Sequence, residues 1–143
     1  MTIYFNANQV VRTEDAGGHG VAGNVKVAAG EYSLSGALTL NQVIPILAVP
    51  RGARIVGAGI ATDDLDTNGT PTIVLGLGDS GDDDRLIAGA TVGQTSGVDS
   101  AIETTGALYK YDTSTVISVT VKTAPATGAT TGKIKAWVEY VLD

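Results

Sequence analysis

The sequence has no cysteine, and only one histidine, one tryptophan and one phenylalanine in 143 residues. Without thiols there is no disulfide framework, no thiolate zinc site and no cysteine nucleophile, so stability must come from packing or assembly. Basic residues are scarce too: nine Lys and Arg against fifteen Asp and Glu leave a net charge of −6. That charge repels phosphate backbones and anionic lipid surfaces, so neither direct nucleic-acid binding nor a membrane is expected. No stretch approaches the roughly 18 apolar residues of a membrane span. Residues 1–6 lack the basic and apolar regions of a signal peptide, so the chain reads as one without a cleaved address.

What the chain has in quantity is β-branched residues. Val, Ile and Thr number 16, 10 and 18, while Lys and Glu together supply nine, and branched side chains suit a pleated surface better than a helix. Leu, Ile, Val and Phe make up 37 of the 143 residues, enough for one core. Nineteen glycines fit frequent tight turns. The fold class expected is all-β.

The polar, glycine-rich residues 1–22 read as an N-terminal arm, and 23–143 as a single β-sandwich domain. Alternation and turn chemistry place strands at 23–29, 31–40, 42–49, 53–62, 70–78, 84–92, 107–112, 114–123 and 132–142. Eight or nine strands at this spacing suit a jelly-roll-like antiparallel β-sandwich of about eight strands with an extended N-terminal arm. In the last strand, Ile134, Ala136, Val138, Tyr140 and Leu142 share one face. Lys133, Lys135, Trp137, Glu139 and Val141 share the other, which sets the only tryptophan outward.

Three stretches look like chemical motifs and fail on physical grounds. Gly57-Ala58-Gly59 follows an apolar run as in a dinucleotide fold, but Thr62 replaces the third glycine and Asp63-Asp64-Leu65-Asp66 replaces the anion-binding helix start. A glycine-relieved strand is the better reading. Gly78-Asp79-Ser80-Gly81 resembles a serine-protease nucleophile, yet His19, the only histidine, stands in a glycine cluster far along the chain. Seven of the eleven aspartates fall between 63 and 84, a pattern that could attract calcium but matches no calcium loop. Aspartate also builds turns by bonding its own backbone, which accounts for the cluster without a metal. No catalytic residue, metal ligand or cofactor is assigned.

Contact residues are the remaining candidates. An outward Trp137 is either covered by the chain itself or buried against a subunit, and Tyr109 and Tyr111, on one face of their segment, line the same contact or a core edge. Ile3, Tyr4, Phe5, Val10 and Val11 are apolar residues near a terminus, where a partner surface is needed to cover them.

The order of segments also resembles a known family. Pro50-Arg51-Gly52-Ala53-Arg54-Ile55-Val56, Thr62 through Thr72, Gly78-Asp79 through Ala88, Ala90 through Gln94, Val119-Thr120-Val121 and Val138-Glu139-Tyr140 are similar to small head proteins encoded near the major capsid gene of tailed bacteriophages. The resemblance spans roughly residues 42–142. It implies a capsid decoration, or cement, protein without enzymatic activity: a jelly-roll-like homotrimer on the outer surface of the virion, partnered by the major capsid protein and clamping neighbouring capsomers after expansion. Two other readings of an all-β chain stay open here: a receptor- or glycan-binding module of a fibre, and a ring component of the head–tail joint or tail tube.

Overall fold

The computed structural model describes residues 2–6, 9–12 and 24–142. Its strands are β1 (Thr2–Asn6), β2 (Gln9–Arg12), β3 (Lys26–Ser33), β4 (Val43–Val49), β5 (Ala53–Thr62), β6 (Val74–Gly78), β7 (Ile87–Ala90), β8 (Gly97–Asp99), β9 (Thr115–Thr123) and β10 (Lys133–Leu142). A short 3-10 turn at Val92–Gln94 is the one helical element among the described residues.

Strands β3 to β10 form two four-stranded antiparallel sheets, ordered β3-β10-β5-β8 and β4-β9-β6-β7. The pairs are nested: β3 with β10, β4 with β9, β5 with β8, β6 with β7. This is the connectivity of a long hairpin rolled up on itself, the two-Greek-key arrangement of a jelly roll. Periodicity alone does not choose that order, because other sandwiches share it.

The core lies between the sheets and follows the alternation. Ile55, Ile60, Leu75, Leu77, Ile117, Val119, Val121, Ile134 and Val138 are all 0% exposed. Each such side chain stabilises the fold by about 1.5–3 kcal/mol relative to exposure. Gly30 of β3 brings the two sheets close at one side: a Cβ there would overlap the Ile46 carbonyl.

Three assignments from the sequence change. The strands expected at 23–29 and 31–40 are the single β3, which ends where Leu34 turns to donate to the Gly132 carbonyl at 2.9 Å. Residues 107–112 form one isolated bridge, Lys110 with Arg54, in place of a strand. Their N–H and C=O groups do exchange bonds with β5, Leu108 N–H to the Ile55 carbonyl at 2.8 Å and Tyr111 N–H to Ala53 at 2.9 Å. A turn at Glu103 to Gly106 and a left-handed Leu108 at φ 61° keep the segment from extending further. The three-residue β8 was not expected.

Within the expected arm, β1 and β2 pair antiparallel as a separate two-stranded sheet, with Ile3 opposite Val11 and Tyr4 opposite Val10. The remainder of 1–22 lies outside the described residues.

Candidate functional site

Trp137 stands on the outer face of the β3-β10-β5-β8 sheet, as the alternation requires: Ile134, Ala136 and Val138 are buried, and Lys133 and Lys135 are exposed. Register sets Ala29 of β3 on one side of it and Gly59 of β5 on the other. A Cβ at Gly59 would lie 2.0 Å from Trp137 Cζ2, so the indole rests against bare backbone. Gly57 does the same for Glu139, whose Oε2 would be 2.9 Å from an added Cβ. The glycines that resembled a phosphate-binding turn are therefore the middle of a strand, and their work is to let two side chains of β10 lie flat.

Around Trp137 the face is a shallow depression of about 420 Å³ bounded by Ala29, Ala61, Glu31 and Lys135. Val27, opposite Glu139, and Val98, opposite Ala61, extend the apolar row and are 62% and 65% exposed. At its upper end Lys133 Nζ meets Glu31 at 2.9 Å. The ion pair lowers the Glu31 pKa, though with both groups in water it contributes little stability.

The opposite face carries the acidic loop. Asp79 organises it: Oδ1 accepts from the N–H of Gly81 at 2.9 Å and of Asp82 at 3.0 Å, and Oδ2 accepts from Arg85 Nε at 2.6 Å and the Tyr111 hydroxyl at 2.8 Å. Burial pulls the Asp79 pKa up, but these donors, Arg85 first, more than offset it and hold the carboxyl below its ordinary value. Burial, then the bond to Asp79, pushes the Tyr111 hydroxyl far up. The Arg85 guanidinium lies 4.0 Å above the Tyr109 ring, which meets Tyr111 edge-on at 4.9 Å. The two tyrosines are thus brought together, but Tyr111 is 5% exposed and serves the core edge, leaving Tyr109 at the surface.

The loop then crosses the outer side of β6, where Gly76 and Gly78 leave room for the backbone of Asp83 and Asp82. Asp82, Asp83 and Asp84 bring carboxylate oxygens within 4.8 Å of one another. Their own cation is Lys122, at 2.8 Å from Asp83 and 4.0 Å from Asp84. A hydrogen bond with Asp82 and partial burial push the Asp84 carboxyl up.

Asp66 is a residue that the sequence did not single out. It is 1% exposed and gathers five backbone N–H groups: Thr72, Ile73 and Ala126 on Oδ2, Asn68 and Thr127 on Oδ1. Burial raises its pKa, and the amides override this and hold it well below the carboxylate range. The signal was available in the spacing, because Asp64, Asp66, Asn68, Asp79, Asp82 and Asp99 each accept from the N–H two residues on. The aspartate cluster builds turns.

Ser80 is exposed beside Asp79, and His19 lies outside the described residues. The arm residues Ile3, Tyr4, Val10 and Val11 are paired by register, with Phe5 at the register shift between Tyr4 and Asn6.

No family model matches the chain, nor does any curated protein. Among solved structures it is similar to a chain of the cyanophage Pam1 capsid asymmetric unit, at 34% identity over 88% of this chain and 90% of that one, with a TM-score of 0.76. It is similar to a chain of the capsid of Ralstonia phage GP4 at 31% identity, over 85% and 86% of the two chains and again with a TM-score of 0.76. A chain from the acidic stable capsid structure of Helicobacter pylori bacteriophage KHP30, 17% identical with a TM-score of 0.58 over 85% of this chain, shares the fold.

Proposed function

The chain belongs to the family of phage capsid proteins found in the Pam1 and GP4 capsid structures, and on that premise we propose that it decorates the outside of the shell and clamps neighbouring major capsid subunits. It is a structural virion protein and not an enzyme. The observation that carries the reading is its near full-length likeness to chains of two capsids, which favours the shell over a tail fibre or a joining ring.

The clamp works through mass action. A ligand that binds only the closed, expanded shell stabilises that state, and several weak contacts made at once act at high effective concentration. We place a homotrimer on the shell, with Trp137 and Tyr109 toward neighbouring subunits, and the β1–β2 hairpin with Ile3, Tyr4, Phe5, Val10 and Val11 toward capsid or neighbour. An isolated two-stranded hairpin is marginal in water, which supports a partner surface beneath it.

The test is co-sedimentation with expanded, undecorated shells. The expected result is that the full chain pellets with shells and raises their melting temperature; indifference to shells refutes decoration. Deleting residues 1–20 is expected to abolish pelleting with the sandwich still folded. Normal pelleting by that deletion refutes the role of the arm.

A further inference from the structure

We infer that the open edge of β3 takes up the β1–β2 hairpin of a neighbouring copy, each copy lending its hairpin to the next around the trimer. The inference deepens, and rests on, the homotrimer reading above.

A sheet edge exposes a row of unpaired N–H and C=O groups, and folded chains protect such edges. The sandwich has four, at β3, β8, β4 and β7. β8 is three residues long, β7 is four and ends beside Gly89 at φ 65°, and β4 holds Pro45 at a break in its register with β9. β3 has no such protection. Its eight residues, about 26 Å of strand, contain no proline and pair with β10 without a break from Lys26 to Ser33.

The Leu34 N–H donates to the Gly132 carbonyl at 2.9 Å, one step beyond the last β3–β10 pair, so the bonded pairs alternate from there through Tyr32, Gly30 and Ala28. Val27, Ala29, Glu31 and Ser33 therefore aim their N–H and C=O groups away from β10, at the open edge. Both faces beside that edge are incompletely covered. Val27 and Ala29 are exposed on the outer face, and on the inner one Ala28, Tyr32 and Ile46 of β4 are only half-buried. An added strand thus meets apolar groups on both sides.

The hairpin matches this position. Register and alternation give it one apolar pair, Ile3 and Val11, on one face and another, Tyr4 and Val10, on the other. Such a pattern suits the inside of a sheet, and a hairpin alone is marginal. Charge agrees: across β3, the β10 residues opposite it and the adjoining Asp63, Lys26, Lys133 and Lys135 balance Glu31, Glu139 and Asp63. The edge is neutral on a chain of net −6, and the only charge in residues 2–12 is Arg12. Within one copy the hairpin is a sheet of its own and β3 keeps its edge. The thirteen residues 13–25 span up to about 45 Å, enough to reach a neighbour. Edge and hairpin are different surfaces, so the contact runs head to tail and closes a ring of three, where a self-complementary face closes a pair.

Because the chain has no cysteine, cross-linking can be placed at will. Tyr4→Cys and Ala29→Cys lie near the middle of β1 and β3, so their proximity does not depend on strand direction. With a short bis-maleimide the double-cysteine chain is expected to give covalent trimers on a denaturing gel, and each single cysteine dimers at most. Products confined to monomers overturn the inference, since the hairpin then returns to its own sandwich. Sedimentation velocity follows on Ala29→Pro, on a chain lacking residues 1–12 and on both together, with circular dichroism melts for each fold. The Ala29 N–H faces the open edge, so proline there keeps the β10 bonds and blocks only an added strand. Each change is expected to weaken the trimer at least about tenfold. Together they are expected to stay within about threefold of the deletion alone, because both remove one contact. A proline variant that associates like the parent, losses that multiply, or a monomeric parent overturns the inference; if Ala29→Pro does not fold, the cross-link decides. Pelleting with shells is scored separately. A monomeric parent that pellets leaves decoration standing without this contact, and a trimer that dissociates as expected but ignores shells does the reverse. A deletion that stays trimeric and no longer pellets assigns the hairpin to the capsid and overturns the inference.

Discussion

Asp66→Asn tests how much of the fold hangs on one carboxylate. Oδ2 accepts from Thr72 at 2.7 Å, Ala126 at 2.8 Å and Ile73 at 3.2 Å, and Oδ1 accepts from Thr127 at 2.9 Å and Asn68 at 3.4 Å. An asparagine keeps one oxygen and replaces the other by NH₂, which is a donor. In its better orientation it still turns that donor toward the N–H groups of Thr127 and Asn68. One firm bond and one long one are lost at a buried site, where an unsatisfied donor costs about 1–3 kcal/mol, so the total is about 2–4 kcal/mol. The loss also loosens the tie between the 63–73 loop and the 124–132 loop, which are joined here and at the Asp66–Gly128 bridge. At about 2–4 °C per kcal/mol for a chain of this size, the melting temperature is expected to drop by about 5–15 °C. Calorimetry measures the drop, and urea titration checks that the slope is unchanged. A variant melting within 2 °C of the parent refutes the argument that this carboxylate is a structural keystone.

The same carboxylates set the acid limb of stability. Asp66 and Asp79 have folded pKa values below the ordinary value. Their contribution is therefore complete above about pH 5 and is lost as pH falls through the unfolded value near 3.9 toward the folded one. A melting temperature flat from about pH 5 to 8 and falling below about 4 is expected; one that rises on acidification contradicts it. Gly59→Ala forces Trp137 off the β5 backbone, so a red shift in the emission of this single tryptophan and a loss of about 1–3 kcal/mol are expected, read by fluorescence and chemical unfolding. Tyr111→Phe removes one donor from Asp79 but leaves Arg85 at 2.6 Å, for a cost of about 1–2 kcal/mol in a urea titration. Millimolar calcium is expected to leave the melting temperature within 1 °C, because Lys122 already occupies Asp83; a rise of several degrees would assign the loop a cation.

The strands most legible in the sequence are those with the longest regular alternation. β5 spans Ala53–Thr62 where 53–62 is expected, and β10 spans Lys133–Leu142 where 132–142 is expected. Both are central strands paired on two sides, so most of their side chains meet either core or surface, although Ala58, Gly59 and Ile60 are buried in a row and the register shifts between Glu139 and Tyr140. The failures sit where pairing is short or the backbone bends. β8 is three residues long and contains barely more than one period, too little for alternation to register. Beyond Ser33 the apolar Leu34, Leu38 and Leu40 continue a strand-like pattern, but Leu38 is 4% exposed and Leu40 is 55% exposed, the mark of a loop laid over the core edge, not a strand. Alternation records which residues are buried, and a well-packed loop buries residues too.

For the Trp137 face the limits are different. That Trp137 points outward follows from period two alone. That Gly59 exists to receive it does not, because the two residues belong to strands separated by the whole loop system and meet only through the β10–β5 register. A glycine within a strand reads equally well as a bend, a bulge or a cleared space, and only the partner across the ladder decides among them. Asp66 poses the same problem in polar form: its donors come from residues 68–73 and again from 126 and 127. A contact protein has no reacting atom to demand a short local motif. Its functional residues are set by register and exposure, so for this chain an outward Trp137 acquires meaning only once β10 is known to lie within an open four-stranded face.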